Sequence, residues 1–121
     1  MAVELNHTIV HAKDKRTSAD FLAGILGLEV DPQQGPFLPV VMSNGVALDF
    51  MDTDEVLQQH YAFKLDADEW EAAHARLLDQ GVRTWADPSL SRPDAVYEHG
   101  GERGAYFMDP SGHLMEILTA Q

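Results

Sequence analysis

The segment Gly104–Leu118, GAYFMDPSGHLMEIL, constrains this chain more than any other. It reads as strand, tight turn, strand. Pro110 fixes φ and Gly112 accepts positive φ, so Asp109-Pro110-Ser111-Gly112 is strong turn chemistry. The following strand carries one carboxylate, Glu116, among Leu114, Met115, Ile117 and Leu118. An ionised carboxylate in such a run is costly unless something positive meets it. A metal ion would meet that need. Two histidines that open strand-like runs, His7 in LNHTIV and His60 in HYAFKL, are candidates to complete its shell.

From the start of the chain, Leu5–Val10 reads as a strand with Leu5, His7 and Ile9 on one face. In AKDKRTSADFLAGILGL, Phe21, Leu22, Ile25 and Leu26 repeat at helical spacing, and Gly27 is a stop. Phe37–Met42 is strand-like, and Pro36 and Pro39 place it at an edge. Ser43-Asn44-Gly45 signals a hairpin into a return strand, Val46–Met51, which contains Asp49. After a polar connection, His60–Leu65 is the next strand. Asp66 and Glu69 form a capping box for a second helix, with an apolar stripe of Trp70, Ala73, His74, Leu77 and Leu78. Gly81 ends it, and Val82–Trp85 is expected to be a short strand. ADPSLSRPDAVYEHGGER, rich in Pro, Gly and Ser, reads as a long binding loop or lid.

The two halves match by position. Each runs strand, helix ending in Gly, strand, then a hairpin into a last strand, an internal repeat of βαβββ type. His7 opens one half and His60 the other. Asp49 stands four residues after Gly45, and Glu116 four after Gly112. If a pseudo-twofold axis relates the halves, two histidine–carboxylate pairs converge in the cleft of a curved sheet.

The chain has 121 residues, which fits one domain with its own core. It has no cysteine, which excludes disulfides, thiolate zinc sites and cysteine nucleophiles. The formal net charge of −12 argues against nucleic-acid and anionic-membrane partners. No apolar run approaches the ~18 residues of a membrane span, and the N-terminus lacks the marks of a signal peptide. A cytoplasmic location is the expectation.

The segments LNHTIVHAKD, FLAGILGLEV, HYAFKLDADEWEAAHARLLDQGV and YFMDPSGHLMEIL resemble the vicinal oxygen chelate superfamily. That superfamily includes glyoxalase I, fosfomycin-resistance thiol transferases, extradiol dioxygenases and bleomycin-binding proteins. The resemblance implies an α+β fold: two βαβββ modules, about 1–53 and 58–121, forming an open U-shaped mixed sheet flanked by helices. It implies a homodimer and a small-molecule substrate. His7, His60 and Glu116 match the superfamily's two-histidine, one-carboxylate metal set. The ion would be a divalent transition metal (Mn, Fe, Ni, Co or Zn) that chelates vicinal oxygens of the substrate. Asp49 falls where glyoxalase I places a fourth ligand, a longer glutamate. Ligand, general base and hydrogen-bonded structural residue all remain open for it. Tyr106 falls at a substrate-contacting tyrosine of the fosfomycin enzymes. Ala86 and Asp87 stand where a phosphonate-binding lysine would be expected, which argues against a phosphonate substrate. So does an end at Gln121, before an extended C-terminal arginine could appear. The short chain also argues against extradiol chemistry.

Two functions follow from the resemblance. One is a metal-dependent enzyme acting on a small oxygenated metabolite or xenobiotic, with Glu116, Asp49 and Tyr106 at its chemistry. The other is a dimeric binding protein that sequesters an antibiotic or natural product. Of the remaining side chains, Arg103 and His99 are expected as exposed loop residues or an anion clamp. Lys64 is expected at the cleft or its rim, and His74 in packing or at an interface. His11 and His113 are read as turn and surface residues, and Trp70 and Trp85 as core or dimer contacts.

Overall fold

The computed structural model describes residues 1–119. The last two residues of the second sequence module, 120 and 121, lie outside the described residues. The chain divides into two compact units, Met1–Leu57 and a second beginning at Gln58. Among the described residues no helix is long and apolar enough to cross a membrane.

The first unit holds strand β1 (His7–Ala12), helix α1 (Lys15–Leu26), strand β2 (Phe37–Val41) and strand β3 (Ala47–Asp52). Asp14 caps α1 by accepting from the Thr17 N–H at 3.1 Å. Gly27 ends the helix at φ 71°, a conformation that glycine adopts without a Cβ penalty. The strand order is β1-β3-β2, so the proline-bearing β2 is an edge strand, as expected. One face of the sheet carries Val10, Ala12, Leu38, Val40, Leu48 and Phe50. All six are buried, and α1 packs its Leu22 and Ile25 on that side. The other face presents His7, Ile9, His11, Asp49 and Met51. The fourth strand implied by a βαβββ unit is reduced to one bridge, Val30 to Val40. Pro32 and Pro36 flank the intervening turn and lack the N–H groups a ladder needs.

The second unit is the fuller one. It holds strand β4 (His60–Lys64), helix α2 (Ala67–Asp79) and strands β5 (Tyr97–His99), β6 (Glu102–Met108) and β7 (Leu114–Leu118). Their order is β4-β7-β6-β5, with β4 and β7 parallel and the other pairs antiparallel. Asp66 caps α2 by accepting from the Glu69 N–H at 2.8 Å. Trp70, Ala73 and Leu77 are buried, and the Trp70 indole donates to the Ile117 carbonyl at 3.0 Å. Leu78, expected in the same stripe, is 58% exposed. The fold is thus α+β, with a three-stranded and a four-stranded sheet.

Two sequence expectations need correction. Val82–Trp85 is not a strand: only Trp85 bridges, exchanging both backbone hydrogen bonds with Tyr106 at 2.9 Å and bridging Pro93. Ala86–Arg103 is not wholly a loop. It contains β5, which hairpins into β6 through Gly100 and Gly101, both at positive φ.

His113 is a third correction, because it is 1% exposed rather than a surface residue. Its Nδ1 accepts from the Gln59 N–H at 3.0 Å, and its ring meets Tyr61 edge-on at 5.5 Å. Gln59 also accepts from the Leu114 N–H at 3.0 Å. The turn therefore anchors the backbone immediately before His60. Asp109 builds that turn. Its Oδ1 accepts from the Ser111 and His113 N–H groups at 3.0 and 2.8 Å, while the buried Oδ2 has no partner among the described residues. Burial pushes the Asp109 carboxyl up, against the backbone donors and His113, which pull it down.

Two outcomes follow from this packing. Asp66→Ala should lower stability by about 1 kcal/mol in urea unfolding, the usual cost of a lost cap. Asp109 binds its proton more tightly in the folded chain, so stability falls as pH rises from the ordinary carboxylate range of about 3.9 through the raised value. Asp109→Asn keeps the Oδ1 acceptor and removes the charge. Its stability relative to the native chain should therefore improve as pH rises above about 4, where the carboxylate begins to ionise in the unfolded chain. Urea unfolding at several pH values measures that difference.

Candidate metal-binding site

Strand alternation sorts the second sheet into two faces. Ala105, Phe107, Met115 and Ile117 form the buried side, where α2 packs. His60, Glu116, Tyr106, Gly104 and Tyr97 share the other. His60 Nε2 lies 3.0 Å from Glu116 Oε1, across the parallel β4–β7 pair. The Glu116 side chain is 10% exposed and that of His60 is 45% exposed. The carboxylate is therefore held within the sheet, while the imidazole reaches solvent.

Two phenols complete the surroundings of Glu116. Tyr106 is its register partner on β6, and the Tyr106 ring centroid lies 5.8 Å from that of His60. The Tyr97 hydroxyl donates to Glu116 Oε2 at 2.5 Å. Burial, then the hydrogen bond to Glu116 and its charge, push the Tyr97 phenol up. Tyr106 is raised by burial, then by the Glu116 charge and a hydrogen bond to it. Both phenols therefore remain protonated donors at neutral pH.

The first unit repeats part of this layout. His7 opens β1 opposite Ala47, as His60 opens β4 opposite Leu114. Two residues further along each ladder, Ile9 faces Asp49 and Ala62 faces Glu116. The two halves thus share one register as well as one order of elements. His7 is exposed, with Nδ1 2.7 Å from Asn6 Oδ1, and Asp49 is half-buried.

Of the residues expected at the site, His60, Glu116 and Tyr106 are neighbours, and His7 and Asp49 belong to the first unit. Among the described residues, no group of three or more His, Cys, Asp or Glu that could hold a metal ion is present. His60 and Glu116 nevertheless suit one as a pair. Ligand bonds of about 2.0–2.2 Å meeting at a right angle put a nitrogen and an oxygen about 3 Å apart. Imidazole and carboxylate are also donors that divalent transition metals accept.

Tyr97 was not among the expected site residues. It lies in the segment read as a loop. The available signal was the alternation in YEHGGERGAY, a short hairpin around Gly100-Gly101. The Arg103 guanidinium pairs with Glu71 and lies 4.5 Å above the Trp70 ring. His74 stacks on Trp70 at 4.9 Å, in the packing role expected of it. His99 is exposed and stacks on Tyr97 at 5.2 Å. Lys64 is exposed at the end of β4, on the His60 face.

Known proteins share this fold. The glyoxalase-like domain family matches residues 7–118. The solved structure of oxidase ChaP-H2 superposes with a TM-score of 0.97 at 52% identity, covering 100% of this chain and 96% of that one. Oxidase ChaP-H1 gives a TM-score of 0.94 at 48% identity, covering 99% and 98%. Glutathione transferase FosA of Serratia marcescens is 28% identical over 97% of this chain and 81% of its own length. The chain belongs to the glyoxalase-like domain family, within the vicinal oxygen chelate superfamily.

Proposed function

We propose that this protein is a divalent-metal-dependent enzyme that oxidises a small oxygenated substrate held through two vicinal oxygens, with dioxygen as the electron acceptor. The observation that carries the reading is the His60–Glu116 pair, set 3.0 Å apart on the face that also presents Tyr97 and Tyr106. Oxidation is favoured over thiol transfer by the names of its relatives. Two oxidases match at 52% and 48% identity, against 28% for the glutathione transferase. Those oxidases match over 96% and 98% of their own length, so the short chain is no argument against oxidative chemistry.

His60 and Glu116 would hold the ion, with His7 as the third donor, in a homodimer. When bound, the metal supplies Lewis-acid polarisation of the substrate oxygens and, if redox-active, a route for electrons. The remaining roles belong to this chain's own groups. Tyr106, kept protonated, donates a hydrogen bond to a substrate oxygen beside Glu116. Asp49 accepts a proton as general base. The buried Glu116 shares its two oxygens between His60 and Tyr97.

Elemental analysis of tag-free protein beside His60→Ala tests the reading. A stoichiometric transition metal that is lost in the variant is the expected result. Absence of metal, even after reconstitution, overturns it. Small-molecule binding by the metal-free protein, with the ligand unchanged, would then favour sequestration. Removing the metal should lower the melting temperature, since an ion at about 100 times its Kd stabilises the folded state by about 2.7 kcal/mol. Sedimentation at micromolar concentration should show a dimer.

A further inference from the structure

Glu116 offers two oxygens, and they are not equivalent. Oε1 faces His60 Nε2 at 3.0 Å, and Oε2 accepts the Tyr97 hydroxyl at 2.5 Å. The tyrosine that makes this distinction is itself firmly seated. Tyr97 is 8% exposed, stacks on His99 at 5.2 Å and tilts against Tyr106 at 5.8 Å. Its register partner across the β5–β6 hairpin is Gly104.

A Cβ at Gly104 would stand 2.1 Å from Tyr97 Cζ, 2.2 Å from the hydroxyl oxygen and 2.3 Å from Cε2. No real contact is that short, so the ring occupies the space a side chain would fill. Gly104 is not among the glycines at positive φ, so backbone conformation does not require glycine there. A glycine inside a strand weakens it and marks the close approach of another group. Here that group is the Tyr97 ring.

We propose that Tyr97, seated on Gly104, is a positioning residue that reserves one oxygen of Glu116 and leaves the other for the metal. This rests on the metal reading above. A phenol donating to Oε2 withdraws that oxygen, so Glu116 binds through Oε1 alone. A one-oxygen carboxylate leaves open the coordination position that a two-oxygen carboxylate would take. Open positions are what a two-histidine, one-carboxylate set needs to chelate a substrate through two oxygens. Hydrogen-bond partners behind a ligand fix its orientation, and their loss commonly costs about 10–100-fold in metal affinity.

The test is titration of the metal-free protein with Co(II), whose visible absorption reports coordination number. Tyr97→Phe keeps the ring on Gly104 and removes only the hydroxyl. It should weaken Co(II) binding by about 10–100-fold and change the intensity of the visible bands. Gly104→Ala keeps the hydroxyl but evicts the ring, and should shift both readouts in the same direction. Native affinity and an unchanged spectrum in Tyr97→Phe would overturn the positioning role and leave the proposed function standing. Absence of Co(II) binding in the native chain would overturn both. If Gly104→Ala fails to fold, as judged by circular dichroism, Tyr97→Phe alone decides.

Discussion

The second unit depends on one burial. Glu116 stands in the middle of β7 with Met115 and Ile117 beside it, both fully buried, and is itself 8% exposed. Taking a carboxylate out of water costs several kcal/mol unless its oxygens find donors. Neither neighbouring strand supplies one from its backbone, since the ladder hydrogen bonds are already made. Besides Tyr106 of β6, which also hydrogen-bonds the acid, the donors are two side chains: His60 from β4 on one side and Tyr97 from β5 on the other. β5 is only three residues long, yet it must exist for Tyr97 to reach across β6. The bare Cα of Gly104 gives it passage. The strand order β4-β7-β6-β5 is thus the order that brings both donors to one acid.

The approach to that acid is fixed from the other end by the Asp109–His113 turn. The sequence marks Asp109-Pro110-Ser111-Gly112 as a turn but does not show what the turn holds. Its buried His113 grips Gln59, the residue before His60. A shift of one residue in that pairing would send His60 to the opposite face of the sheet, because side chains alternate. The cost of this device is a buried Asp109 carboxylate with one oxygen unpartnered among the described residues. The turn therefore trades some stability for the register that puts His60 beside Glu116.

Local signals were legible wherever neighbours in sequence decide the outcome. The cap at Asp66, the stop at Gly27 and the pairing of the two halves depend on residues within one turn or on a repeated spacing. The His60–Glu116 pair was also legible, because each residue is a polar exception in an apolar strand at the same offset as its counterpart. Tyr97 and His113 were not. Pro88, Pro93, Gly100 and Gly101 make the stretch around Tyr97 look like loop. A three-residue strand carries too little alternation to outweigh them. His113 follows a turn glycine, where polar residues are usually solvated, and its distant partners Gln59 and Tyr61 accompany its burial. The contacts of Arg103 were not legible either. Its Gly-rich surroundings suggest an exposed loop, but the Trp70 ring and Glu71 that engage it lie on α2.

The two members of the pair differ in a way that bears on how a site of this kind works. Glu116 is enclosed, with one oxygen tied to a ring seated in the space that a side chain at position 104 would fill. His60 has nearly half of its side chain in solvent and stands at the first position of its strand. A ligand entering between them displaces the hydrogen bond they share, and the free energy needed to move each partner differs. Moving Glu116 breaks the Tyr97 bond and strands a buried oxygen. Turning His60 outward exchanges one hydrogen bond for water. The carboxylate therefore sets the position of the site, and the imidazole adjusts to what occupies it.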